Sequence, residues 1–150
     1  MLKSRTAGAL AAVTAAVGLT LAAAPQASAS TGQWGNFPLT AQCGPQTLHP
    51  TSPSIQFQTC VDVGVGNQLR PIVVVKNNAP HAIRVRASTH STWSGLEHCA
   101  DRFVSSGQRA VCSGTIGPAA SGPNTAQGGL DVYNSGTWVP GTADPVTLTF

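Results

Sequence analysis

Apolar and polar residues alternate along several short segments of the chain, which predicts β-strands. The clearest segment runs from Ile55 to Val65, where Ile, Phe, Thr and Val alternate with mostly polar residues. A second strand is expected over Leu69–Lys76, and its run Ile72–Val75 of β-branched residues predicts burial on both faces. A third strand, Ile83–His90, alternates again. No stretch shows the helical period over three turns.

Further strands are expected towards the C-terminus. They cover Arg109–Ile116, Thr125–Tyr133 and Val146–Phe150, and Gly, Pro, Ser and Asn residues mark turns between them. About seven short strands, with a turn signal roughly every ten residues, predict a β-sandwich or barrel. We therefore expect a single all-β domain over residues 54–150. The preceding segment, 30–53, is rich in Gly, Pro, Gln and Thr and is expected to be irregular or to lie along an edge.

The first 29 residues have the layout of a signal peptide. Lys3 and Arg5 form a positive start, Ala7–Ala24 is uncharged and alanine-rich, and Ala-Ser-Ala at 27–29 provides a small-residue cleavage site. The apolar run is only weakly hydrophobic and the cleavage site follows it directly, so cleavage before Ser30 is favoured over a retained membrane anchor. The mature protein is expected to be secreted and free of the membrane.

Charged residues make up only 9% of the chain, whereas soluble domains usually carry about a quarter. Loss of Lys3 and Arg5 with the leader leaves six basic against five acidic side chains. This balance argues against a nucleic-acid-binding surface. The chain also lacks the Gly-x-Ser-x-Gly elbow, the His-Glu-x-x-His motif and a phosphate-binding glycine loop. We expect no cofactor and no enzymatic activity.

The cysteines are Cys43, Cys60, Cys99 and Cys112. An even number in an exported chain predicts two disulfides, for which three connectivities are possible. We predict the pairs adjacent in sequence, Cys43–Cys60 and Cys99–Cys112. Because the alternation places Cys60 on the polar face of its strand, the first bridge should hold the N-terminal segment across the outside of the sheet. Cys-x-x-Cys and His-x-x-x-His spacings are missing, so no metal site is predicted.

Two groups of residues carry candidate binding chemistry. The outward face of the third strand presents Arg84, Arg86 and His90, and arginines in such a row can bind an acidic or sugar-phosphate group. Rows of this kind also serve as solvated faces that prevent edge pairing. Two tryptophans, Trp93 and Trp138, lie in turns or near strand ends. An indole there can stack on a sugar or anchor a protein interface, or it can fill the core.

A polar cluster surrounds Cys99 in the sequence. It contains Glu97, His98, Asp101 and Arg102. A histidine beside carboxylates could act as a general acid or base. The simpler interpretation is a solvated loop around a disulfide, with weak local ion pairs.

The alanine-rich leader, the Gly/Ser/Thr/Pro-rich body and the four cysteines resemble the small secreted proteins of actinobacteria. The phrase Ser-Gly-Gln-Arg-Ala-Val-Cys at 106–112 is similar to a turn-then-strand phrase common in such domains. This resemblance implies an immunoglobulin-like sandwich and implies no active site. Secreted subtilisin-inhibitor-like proteins have a similar size and two disulfides. The comparable loop here, Ser113–Asn124, lacks their Cys-Pro-Met-type reactive phrase.

Together these observations favour a secreted, non-enzymatic module that binds an extracellular glycan, surface or protein. One alternative is a serine-protease inhibitor that presents the loop after Cys112. The other is a small extracellular hydrolase that uses His98 with Asp101.

Overall fold

The structure, a computed structural model, describes residues 32–150. They form two sheets of antiparallel strands packed together, and this part of the chain contains no helix. The all-β sandwich prediction is therefore confirmed, whereas the expected signal peptide (residues 1–29) lies outside the described residues. The strands are β1 (Gln33–Gly35), β2 (Ala41–Cys43), β3 (Thr47–His49), β4 (Ser52–Gly64), β5 (Gln68–Asn77), β6 (Ile83–Ser91), β7 (Gly95–His98), β8 (Arg102–Val104), β9 (Arg109–Ser113), β10 (Gly117–Pro118), β11 (Pro123–Asn134), β12 (Thr137–Thr142) and β13 (Val146–Thr149).

The first sheet has the strand order β1-β9-β5-β4-β2, with β10 beside β5 and β3 beside β4. The second sheet has the order β12-β11-β6-β7, with β13 beside β11 and β8 beside β6. If β7 and β8 are counted as one strand and the two-residue β10 is left out, seven strands run from β4 to β12, and the first, second and fifth of them share one sheet. This matches an immunoglobulin constant domain except that the fourth strand lies in the opposite sheet.

The core lies between β4 and β5 on one side and β6 and β11 on the other. Phe57 and Val73 belong to its main cluster and are 1% and 0% exposed. The apolar run of β5 is buried on both faces, as predicted, because a second group packs on the outside of the first sheet. This outer cluster consists of Cys60, Ile72, Val74 and Val111.

The N-terminal segment, residues 32–49, covers that outer cluster. The sequence predicts an irregular or edge-lying segment here, and its backbone pairs with β9 at one edge of the sheet and with β4 at the other, which produces three short strands. Residues 36–40 join the two edges, and Phe37 packs against the outer cluster. Cys43 and Cys60 are opposite residues of β2 and β4 and form a disulfide. The predicted position of this bridge on the outside of the sheet is confirmed.

The second disulfide joins the two sheets. Cys99 follows β7 in the second sheet, and Cys112 lies on β9 in the first. Both cysteines belong to the main core cluster, against which Trp34 packs. The Trp34 indole donates a hydrogen bond to the carbonyl of Ala100 (2.5 Å). Both predicted pairings are thus confirmed, and two disulfides indicate an oxidising environment.

A buried histidine connects β3 to the second sheet. His49 is 2% exposed, and its Nε2 lies 3.0 Å from the carbonyl oxygen of Leu130. The backbone N–H of Thr51 donates to Nδ1 (3.3 Å), so the neutral ring carries its proton on Nε2. Burial lowers the pKa of His49, although the carbonyls of Leu130 and Val139 and the charge of Asp131 oppose this shift.

The His49 pKa predicts a loss of stability in acid. Because the folded-state pKa lies below the ordinary value of 6.5, the unfolded chain binds more protons as the pH falls through that range. The free energy of unfolding should therefore decrease below pH 6.5, and it should decrease less in His49→Gln, which has no ring to titrate. Urea unfolding across this range measures the slope. The exposed His81→Gln is the control, and equal slopes in His49→Gln and the wild type would contradict the prediction.

Candidate functional site on the outer face of the second sheet

The alternation of β6 divides its side chains between the core and the solvent. Ile83 and Val85 are buried, while Arg84, Arg86 and His90 are exposed on the outer face of the second sheet. The predicted outward row is therefore confirmed. Within residues 32–150 no other element covers this face. The face also exposes Phe103 and Leu96.

Two aromatic rings lie beside the arginines. Trp138 and Tyr133 are opposite residues of β12 and β11, and their rings meet edge to face with centroids 5.3 Å apart. The Arg84 guanidinium lies 5.4 Å from the Tyr133 centroid and 5.5 Å from the Trp138 centroid. Arg86 is closer to Trp138, at 4.6 Å. These distances are typical of cation–π contacts, so the four side chains form one ordered group.

Each arginine also pairs with an aspartate. Arg84 donates to the Asp101 carboxylate through Nε (2.8 Å) and Nη2. Arg86 donates to Asp131 Oδ2 through Nε (2.7 Å), and its terminal amino groups have no hydrogen-bond partner among residues 32–150. Exposed ion pairs add little to stability. Their effect here is to fix the arginines and to cancel the formal charges.

A groove crosses the strands next to this group. It lies over Ser88 and His98, which are opposite residues of β6 and β7. Arg86 and Asp131, also opposite one another, form one wall. The depression has a volume of about 320 Å³ and is lined by Arg86, Ser88, His98 and Asp131. Gly129 lies beside it, opposite Ser88, and a Cβ at this glycine would lie 2.5 Å from Ser88 Oγ. We call this depression the outer-face groove.

The structure does not bring Trp93 to this face. Trp93 lies in the turn after β6 and packs, partly buried, against the cluster of Val61, Leu69, Ala126 and Val146. A Cβ on Gly117 would lie 2.8 Å from the Trp93 ring. Trp93 and Trp138 are thus at opposite ends of β6, roughly 25 Å apart along the strand. The core-filling interpretation fits Trp93.

The polar cluster around Cys99 is dispersed in the fold. Neighbouring residues of a strand point to opposite faces, so Glu97 is buried (5% exposed) while His98 is exposed. The Glu97 carboxylate accepts hydrogen bonds from the backbone N–H of Thr115 (2.8 Å) and from Ser94 Oγ (3.0 Å). Asp101 accepts from Arg84, and Arg102 lies over the Trp34 ring. This arrangement gives no support to a hydrolase.

Sequence reasoning found Arg84, Arg86 and Trp138 but missed Asp131 and Tyr133. The hairpin turn after β11 contained the signal, because a tight turn places Tyr133 opposite Trp138. The period of two then places Asp131 on the same face as Tyr133.

Residues 32–150 contain no group of three or more His, Cys, Asp and Glu side chains arranged to hold a metal ion. No helix within them is long and apolar enough to span a membrane. Among protein-family models and curated protein sequences, none matches this chain. The resemblance to small secreted actinobacterial proteins stays a prediction, and the proposals below rest on the geometry of the site.

Proposed function

We propose that this protein is a secreted, non-enzymatic module that binds an extracellular saccharide through the outer face of the second sheet. The observation that carries this proposal is the ordered group of Arg84, Arg86, Tyr133 and Trp138 on a face that no other described element covers. The leader-like N-terminus and the two disulfides support an extracellular location.

The chemistry of this face suits a polyhydroxylated ligand. A sugar hydroxyl both donates and accepts hydrogen bonds, and arginine and aspartate offer a donor and an acceptor side by side at Arg86 and Asp131. The apolar side of a sugar ring packs well against aromatic rings such as Tyr133, which is 40% exposed. Ligand sites usually combine aromatic surface with a small number of polar groups.

Substitution at this face should weaken binding without unfolding the domain. Trp138→Ala removes the ring beneath both arginines, and we expect it to weaken binding by about tenfold or more, as for a central interface aromatic. Co-sedimentation of residues 30–150 with insoluble chitin, cellulose and peptidoglycan measures the effect. Trp93→Phe is the matched control, because it changes a tryptophan that lies elsewhere. Full binding by a folded Trp138→Ala variant would contradict the proposal.

A second candidate function, serine-protease inhibition, is favoured by one observation on the loop after β9. The Ile116 side chain is 48% exposed, while both of its neighbours are held in place. Thr115 donates its backbone N–H to the buried Glu97, and Gly117 pairs with Leu69. A rigid loop that presents an apolar side chain loses little entropy when it enters a protease cleft.

Inhibition assays separate the two functions. A panel of serine proteases, tested with micromolar protein, should show inhibition that disappears in Ile116→Asp if the loop is the functional element. Unchanged protease activity throughout the panel would remove this candidate.

A further inference from the structure

We propose that the outer-face groove takes a neutral saccharide chain, and that Arg86 and Asp131 together hydrogen-bond two neighbouring hydroxyls of one sugar unit. This inference rests on the proposed function and specifies the chemical class of its ligand.

The charges of the face argue for a neutral ligand. Each arginine already has an aspartate partner, so Arg84, Arg86, Asp101 and Asp131 cancel in two ion pairs. An anionic group bound to Arg86 would lie next to the Asp131 carboxylate and would be repelled by it. A hydroxyl meets no such repulsion, because it can donate to a carboxylate and accept from a guanidinium.

Free hydrogen-bonding groups are present at the required place. The Nε of Arg86 is used by Asp131 Oδ2, which leaves the Nη groups of the arginine and Oδ1 of the aspartate without a partner among residues 32–150. Donors and an acceptor therefore lie side by side at the groove wall. Two adjacent hydroxyls of a sugar ring offer the complementary acceptor and donor.

Arg86 also makes two contacts within the protein before a ligand arrives. The Arg86 guanidinium lies 4.6 Å from the centroid of the Trp138 ring and 2.7 Å from Asp131. These contacts restrict Arg86, so it loses less side-chain freedom on binding than an uncontacted arginine would.

The shape of the groove suits a chain. Its lining residues Asp131, Ser88 and His98 lie on three neighbouring strands, β11, β6 and β7, so the groove runs across them for about 10 Å. An elongated depression of this kind fits a linear chain.

The first test fills the groove. Gly129→Val places a β-branched residue, which strands favour, on the outer face, and we expect it to weaken binding of cellohexaose or chitohexaose by about tenfold. A Cβ at this position would meet Ser88 Oγ. The double variant Ser88→Ala/Gly129→Val therefore provides a second form without that contact, and Ser88→Ala alone is the matched control. Circular dichroism confirms the fold.

The second test separates neutral from anionic ligands. Binding of the two neutral probes and of hexagalacturonate is measured by calorimetry at low and high salt. We expect a neutral probe to bind with little salt dependence, and Asp131→Asn and Arg86→Lys each to weaken it about fivefold or more. Tighter binding of hexagalacturonate, weakened by salt and strengthened in Asp131→Asn, would overturn the inference and identify an anionic ligand.

The failure of each proposal gives a different result. One result is that binding to insoluble polysaccharide is weakened by Trp138→Ala but unchanged in Gly129→Val. This result would keep the proposed function and overturn the assignment of the ligand to the groove. If neither the insoluble polysaccharides nor the soluble probes bind, both proposals are overturned.

Discussion

Replacing Cys99 and Cys112 together with alanine should lower the free energy of unfolding by about 3 to 5 kcal/mol. The disulfide restricts the unfolded chain by closing a loop between residues separated by 13 positions. It also connects the two sheets inside the core, where Cys112 is 0% and Cys99 2% exposed. Loss of the sulfur atoms therefore leaves a cavity beside Trp34 in addition to the entropic effect.

The other disulfide provides the comparison. Cys43 and Cys60 close a loop of similar length, with a separation of 17, but they join neighbouring strands at a sheet edge. Replacing this pair should affect mainly the N-terminal segment and cost less global stability. Urea unfolding of the two double variants measures the difference, and non-reducing peptide mapping confirms the pairing. An equal or larger loss for the Cys43/Cys60 variant would contradict the structural role assigned to the bridge between the sheets.

The next largest effect is expected at Gly128, where the two sheets approach closely. A Cβ at this position would lie 2.5 Å from Val73 Cγ2 in the opposite sheet and 3.2 Å from Thr59 Oγ1. Gly128→Ala should therefore force the sheets apart locally and lower the free energy of unfolding by about 2 to 3 kcal/mol. The backbone N–H of Gly128 also donates to Thr59 Oγ1 (2.9 Å), a bond that such a shift would lengthen.

The adjacent Gly129 is the matched control for Gly128. Its Cβ would point to the outer face and meet the hydroxyl of Ser88, which can rotate away. Gly129→Ala should therefore change the free energy of unfolding by less than about 1 kcal/mol, as is usual at the surface. Thermal and urea unfolding of both variants test this contrast. Equal losses at the two positions would show that Gly128 does not mark a close approach of the sheets.

The parts of the fold that could be predicted follow from the alternation of apolar and polar residues along a strand, which has a period of two. It identified β4 and β6, and it placed Cys60 on the outside of the sheet and Arg84 and Arg86 on a common face. The unbroken apolar run of β5 predicted a central strand, because only a strand covered on both sides buries successive residues. Adjacent cysteine pairing was also correct.

Other features depend on contacts that a local pattern does not contain. Strands β1, β2 and β3 have three residues each, too few for a period to be visible, and they exist because β9 and β4 offer free edges. Trp93 and Trp138 have similar local surroundings in sequence, and only the packing of the sheet ends buries the first beneath Gly117. The same holds for Gly128, whose close approach depends on Val73 in another sheet.

The N-terminal segment has a consequence for how the domain folds. The pairing of β1 with β9 joins residues that are far apart in the sequence, such as Gln33 and Ser113, and contacts this distant in sequence form slowly. Until the segment docks, β9 and β4 both present unpaired backbone groups, and the outer cluster is bare. Open strand edges beside apolar surface are prone to aggregation. A shortened chain that begins after Cys43 would therefore self-associate rather than form a smaller version of the same sandwich.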